Sequence, residues 1–125
     1  MSFIYCNPNP SGKNVGDCVI RAISICMDKD WETTYIDICF QGFIDHDIPS
    51  SNAVWSNYLK KNGFRSSVIS ADCPDCYTIS EYVRKHPYGR YILATGSHVV
   101  CVIDGNYYDA WDSGNEIPIY IWRND

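Results

Sequence analysis

The chain of 125 residues has no run of lysines or arginines: ten basic residues are scattered among fifteen acidic ones, for a formal net charge of −5. A protein that neutralises nucleic-acid phosphates needs a basic face, so no nucleic-acid partner is expected. Long apolar runs are missing too. None approaches the roughly 20 residues that cross a bilayer, and no membrane partner is expected. The opening Met1-Ser2-Phe3-Ile4-Tyr5-Cys6-Asn7-Pro8 lacks the basic start and apolar stretch of a secretory signal. An even, regularly spaced set of cysteines is lacking as well: there are seven, irregularly placed, which fits reduced thiols and a cytoplasmic location better than a disulfide framework. Internal repeats and low-complexity segments are absent.

What is present is apolar and aromatic. A hydrophobic fraction of 46%, with ten tyrosines and four tryptophans, argues against disorder, and the length suits one domain with a real core. The turn-formers Asn7-Pro8-Asn9-Pro10-Ser11-Gly12 make residues 1–16 an extended arm or loop. From Asp17 to about Met27, Val19, Ile20, Ala22, Ile23, Cys26 and Met27 recur at helical spacing. Asp30 caps a second predicted helix to about Gln41, with Trp31, Tyr35, Ile38 and Cys39 on one face and Gly42 closing it. A third is predicted from about Ser51 to Lys61, stopped by Asn62-Gly63.

Beyond Gly63 the periodicity changes. Phe64 to Ile69 reads as a strand, and Thr78-Ile79-Ser80-Glu81 as a capping box opening a short helix before Pro87. Tyr91–Ala94, His98–Asp104, Tyr107–Trp111 and Ile117–Trp122 read as four strands of an antiparallel sheet. Helices first and strands last give an α+β fold in one domain, 1–125. Residues 17–62 form a mainly helical half, residues 64–125 a mainly sheet half, and a cleft lies between them.

The chemistry centres on Gly16-Asp17-Cys18. Gly16 permits a sharp turn, Asp17 caps the helix by accepting a first-turn N–H, and Cys18 follows where the helix dipole favours a thiolate. A buried cysteine on an ordinary helix is the alternative. His98 begins one predicted strand and Asp112 ends the next, so a turn at Asp104-Gly105-Asn106 brings them to one end of a hairpin. They share a face only under one condition. Their numbers have an even sum, which requires an odd-length loop or a bulge; a two-residue loop pairs residues of odd sum. If it holds, Asp112 orients His98 and His98 takes a proton from Cys18. Otherwise Asp112 is a turn-former before Ser113-Gly114.

Three stretches carry a family resemblance: Gly16-Asp17-Cys18-Val19-Ile20-Arg21-Ala22, Gly96-Ser97-His98-Val99-Val100-Cys101-Val102-Ile103-Asp104-Gly105, and Tyr108-Asp109-Ala110-Trp111-Asp112-Ser113. In these the chain resembles small papain-like cysteine peptidases, particularly compact bacterial and phage members related to the bacteriocin-leader peptidases. The resemblance implies a papain-like fold, with Cys18 as nucleophile, His98 as general base and Asp112 as orienting acid. It implies a peptidase or amidase working through an acyl-thioester; acyl-transferases use the same triad. The pattern departs in one place: papain-like enzymes carry a glutamine before the cysteine as an oxyanion donor, and none precedes Cys18. Asn14 and Asn7 are the candidate substitutes. That gap leaves two rivals, a papain-fold binding module without turnover that captures a small ligand or host protein, and an interaction protein whose triad is accidental.

No cofactor or metal site is expected. Cys73-Pro74-Asp75-Cys76 lacks the second ligand pair of a structural zinc site and reads as a turn. His46 and His86 read as solvent-facing, and the four tryptophans as core, with Trp111 shielding the histidine. The acidic loop Asp45–Asp47 reads as solvated, or as a lip of the cleft favouring a basic substrate.

Overall fold

The computed structural model describes residues 2–69 and 77–124. In chain order the elements are β1 (Phe3–Tyr5), α1 (Cys18–Cys26), α2 (Trp31–Asp45), α3 (Asn52–Lys61), β2 (Arg65–Val68), α4 (Ile79–Lys85), β3 (Arg90–Ala94), β4 (Val99–Ile103), β5 (Asn106–Asp109) and β6 (Tyr120–Arg123). Among the described residues this is an α+β fold, with four helices packed on a six-stranded mixed sheet ordered β1-β5-β4-β3-β6-β2. No helix among the described residues is long and apolar enough to cross a membrane.

The sheet separates two apolar layers because side chains alternate along each strand. Ile92, Ala94, Val99, Cys101 and Trp122 pack against Ala22, Ile23 and Cys26 of α1, Ile38 of α2, and Val54, Trp55 and Leu59 of α3. On the opposite face, Tyr91, Leu93, Val100, Val102 and Ile121 pack with Ile79, Tyr82 and Val83 of α4. The sheet half thus contributes its own helix, and helices cover both faces.

Two expectations are corrected. The strands of the C-terminal half pair antiparallel as expected, but the sheet as a whole is mixed: within the segment read as an arm or loop, Phe3–Tyr5 forms an edge strand parallel to β5. The second helix runs through Gly42 to Asp45 and ends at His46, whose φ of 54° is left-handed. Gly42 serves a close approach instead of a stop. A Cβ there would lie 3.0 Å from the Asp47 carbonyl oxygen and 3.3 Å from the Pro49 backbone. Alanine in a helix interior ordinarily stabilises by about 1 kcal/mol over glycine. Gly42→Ala is expected to reverse that sign, lowering the urea midpoint; a raised midpoint would show that the Asp47–Pro49 turn yields easily.

The β4–β5 turn decides the register of the site. Asp104 (φ 48°) and Gly105 (φ 81°) both lie in the left-handed region, the form of a two-residue type I′ hairpin loop. Asp104 also accepts a bond from the Gly89 N–H at 3.0 Å. The loop pairs Ile103 with Asn106, Val102 with Tyr107 and Cys101 with Tyr108, all of odd sum. The condition for Asp112 to share a face with His98 is therefore not met, whereas the pair 98 and 109 has the required odd sum.

Candidate active site

Cys18 is the first residue of α1, half-buried, at the head of a groove of about 1060 Å³. The N-terminal loop, α2 and α3 form one wall; the β3–β4 hairpin, Tyr120 and Trp122 form the other. Trp31, Tyr35 and Cys39, expected on one helical face, line it, so that face of α2 serves the groove as well as the core.

Asp17 does not cap α1 through its side chain. A buried arginine one turn on is the stronger partner for its carboxylate: Oδ1 accepts from Arg21 Nη1, and Oδ2 accepts from Trp31 Nε1 at 2.9 Å. The first turn of α1, with no side-chain cap, lines the groove.

His98 is set by the β3–β4 turn. Thr95 Oγ1 accepts the backbone N–H of both Ser97 (3.1 Å) and His98 (2.9 Å), while the Thr95 N–H donates to the His98 carbonyl at 2.8 Å. The imidazole is buried and lies against Trp111, ring centroids 4.7 Å apart. Its Nε2 donates to Asp109 Oδ2 at 2.6 Å. This leaves Nδ1 as the nitrogen open to Cys18.

Asp109 therefore holds the orienting position expected of Asp112. It is almost fully buried and saturated: Oδ2 also accepts from Ser113 Oγ at 2.7 Å, and Oδ1 from the Ala110 N–H at 2.8 Å and Arg21 Nη2 at 3.3 Å. Asp112 is exposed and fills the turn role, Oδ1 accepting from Tyr107 Oη at 2.6 Å and the Gly114 N–H at 3.0 Å.

The electrostatics follow. Burial opposes charge on His98, but the hydrogen bonds to Asp109 and Cys18 and their negative charges outweigh it and raise its pKa to about 9. Burial likewise opposes the Cys18 thiolate, yet the hydrogen bond and charge of His98, the Val99 N–H and Arg21 bring its pKa below the ordinary thiol value. The Asp109 pKa is lowered: burial is outweighed by hydrogen bonds from His98 and Ser113. A thiolate–imidazolium pair is the favoured state between the lowered thiol value and about 9.

Of the oxyanion candidates, Asn7 is engaged within its own loop: Nδ2 donates to the Lys13 carbonyl at 3.2 Å and Oδ1 accepts the Asn9 N–H at 3.2 Å. Asn14 is exposed, and neither lines the groove. Asn9 does line it, with Oδ1 accepting the Ser11 N–H at 2.9 Å.

The remaining expectations are placed as follows. Trp55 and Trp122 are core, Trp31 lines the groove, and Trp111 is 46% exposed while still covering one side of His98. His46 is exposed; His86 is not simply solvent-facing, since it stacks on Tyr82 (4.1 Å) with Nδ1 2.9 Å from the Tyr82 carbonyl oxygen. Asp45–Asp47 does not line the groove. Cys73 and Cys76 lie outside the described residues; Cys6, Cys18, Cys26, Cys39 and Cys101 are free thiols. Comparison of the chain with protein-family models, curated proteins and solved structures gave no match.

Proposed function

We propose that the protein is a cysteine hydrolase of papain-like build, acting on a peptide or other amide in a reducing, cytoplasmic environment. The observation that carries this reading is the line Cys18–His98–Asp109 at the head of an open groove, with a buried carboxylate behind the histidine and a helix N-terminus beneath the sulfur.

The Cys18 thiolate attacks the substrate carbonyl carbon, and the C=O electron pair moves to oxygen. First-turn N–H groups of α1 meet that oxyanion, and Asn9 Nδ2 supplies the second donor that glutamine supplies in the resembled family. Collapse breaks the C–N bond, and His98 gives its proton to the leaving amine. Water, deprotonated by His98, then attacks the thioester and releases the acid and the free thiol. Throughout, Asp109 holds the ring with Nδ1 toward sulfur and stabilises the imidazolium.

The test uses p-nitrophenyl acetate, a small activated acyl donor. Cys18 is expected to lose its nucleophilicity to Cys18→Ala and to carry the acetyl group by mass spectrometry in the wild type. Asn9→Ala should slow acylation on the order of a hundredfold, while alkylation by iodoacetamide, which forms no oxyanion, stays unchanged. Acetylation spread evenly over the free cysteines would remove the hydrolase reading; equal losses in both reactions would remove Asn9 from the oxyanion site.

A further inference from the structure

The outer face of α2 is apolar and uncovered. Phe40 and Phe43 are 62% and 75% exposed and stack on each other with centroids 6.3 Å apart. Ile36 and Ile48 are about two-thirds exposed and Ile44 nearly half. Residues 36, 40, 43 and 44 fall on one side of a helix, and Ile48 continues the strip past its end. None of the five lines the groove, so this surface is separate from the Cys18 site. At roughly 200 Å² for a fully exposed phenylalanine, the five residues reach the ~300–600 Å² scale at which an apolar patch on a soluble protein marks a contact site.

Charge selects the occupant. No lysine or arginine occurs between Asp30 and Leu59, whereas Glu32, Asp45 and Asp47 stand around the strip. Asp37 is neutralised by Lys29. Asp45 accepts neutral amide donors, from Gln41 at 2.9 Å and Asn57 at 3.0 Å, which leave its charge in place. A second copy of this chain, docked two-fold across Phe40, would set the Glu32 end of one strip against the Asp45–Asp47 end of the other. Like charges would then face each other on a protein already at −5. An anionic lipid surface is disfavoured for the same reason. The backbone of a helix is internally bonded, so recognition here works through side chains, ridge into groove, which suits another helix.

We propose that this face of α2 docks an amphipathic helical segment of another protein, with apolar residues at i, i+4 and i+7 flanked by lysines or arginines. The strip, about two to three turns long at 1.5 Å per residue, sets the length of that segment's apolar stripe.

The test titrates the full chain with two synthetic helical peptides of identical leucine spacing, one flanked by lysine and the other by glutamate, followed by calorimetry and by amide NMR shifts. The lysine peptide is expected to bind and shift the resonances of Phe40 and Phe43. The glutamate peptide should bind at least about tenfold more weakly, with the difference shrinking at high salt. Phe40→Asp and Phe43→Asp, both surface changes checked for native circular dichroism, should each weaken the lysine peptide at least about tenfold. Absence of binding, equal affinity for the two peptides, or affinity unchanged in both variants would overturn the proposal. So would self-association of the chain that Phe43→Asp abolishes, because a second copy would then be the occupant.

Discussion

His98→Ala is expected to slow alkylation of Cys18 by iodoacetamide at about pH 6.5 by at least about tenfold. An unperturbed thiol of pKa about 8.5 is roughly 1% thiolate at that pH. Cys18 is held below the ordinary thiol value against the effect of its burial, and His98 provides both the hydrogen bond and the largest charge that do so. Without the imidazolium, burial acts on the sulfur opposed only by Arg21 and the Val99 N–H. The pH dependence carries a sign. Alkylation needs only the thiolate, so its rate rises through the lowered Cys18 pKa and then stays level. Amide turnover also needs the proton on His98, so it falls as pH rises through about 9. A bell for turnover beside a single rise for alkylation distinguishes a thiolate–imidazolium pair from a thiol that is merely accessible.

Arg21→Ala has the largest expected effect on stability, a loss of about 3–5 kcal/mol from a total that for a domain of this size is of order 5–15 kcal/mol. Arg21 is buried between two buried carboxylates, Asp17 through Nη1 and Asp109 through Nη2. Its Nε has no hydrogen-bond partner among the described residues, where the guanidinium is held by these two acids and, at 3.4 Å, by the Val15 carbonyl. Removing it leaves Asp17 buried with the neutral Trp31 N–H as its remaining side-chain donor among the described residues, and takes one donor from Asp109, which keeps His98, Ser113 and the Ala110 N–H. Adding Asp17→Asn to Arg21→Ala should recover part of the loss by discharging the first of these acids. Urea unfolding at constant m-value measures both; a loss under about 1 kcal/mol would mean that water enters the pair. The arginine also ties the groove wall to the acid partner of His98, through Trp31 to Asp17 to Arg21 to Asp109 to His98.

Local features were readable in the residues, and long-range ones were not. The periodicity after Asp17, the Asp30 cap, the third helix between Ser51 and Lys61, and the Thr78–Glu81 capping box all appear in their expected places. Cys18 at a helix start and His98 beside a strand start also follow from local pattern. The acid did not, because a one-residue change in loop length moves a whole strand face. The signal was there: Asp104-Gly105 is a type I′ dipeptide, and a two-residue loop selects Asp109 over Asp112. Arg21 looked like one polar residue on an apolar helix. Its link to Asp17 one turn back is local, but its link to Asp109 spans 88 positions and depends on the fold. The β1 strand, three residues long beside a proline-rich loop, is too short for alternation to announce it. The helical reach of α2 past Gly42 was masked because a glycine that admits a neighbouring backbone looks, in sequence, like one that ends a helix.

The central claim, that Asp109 and not Asp112 sets up the thiolate–imidazolium pair, is tested most directly by the pH dependence of Cys18 alkylation in Asp109→Asn and Asp112→Asn. Both changes are isosteric. Asp109→Asn should move the rise in alkylation rate toward the ordinary thiol value and lower the rate at about pH 6.5 severalfold, while Asp112→Asn should overlay the wild type. A shifted profile in Asp112→Asn with an unshifted one in Asp109→Asn would contradict the account.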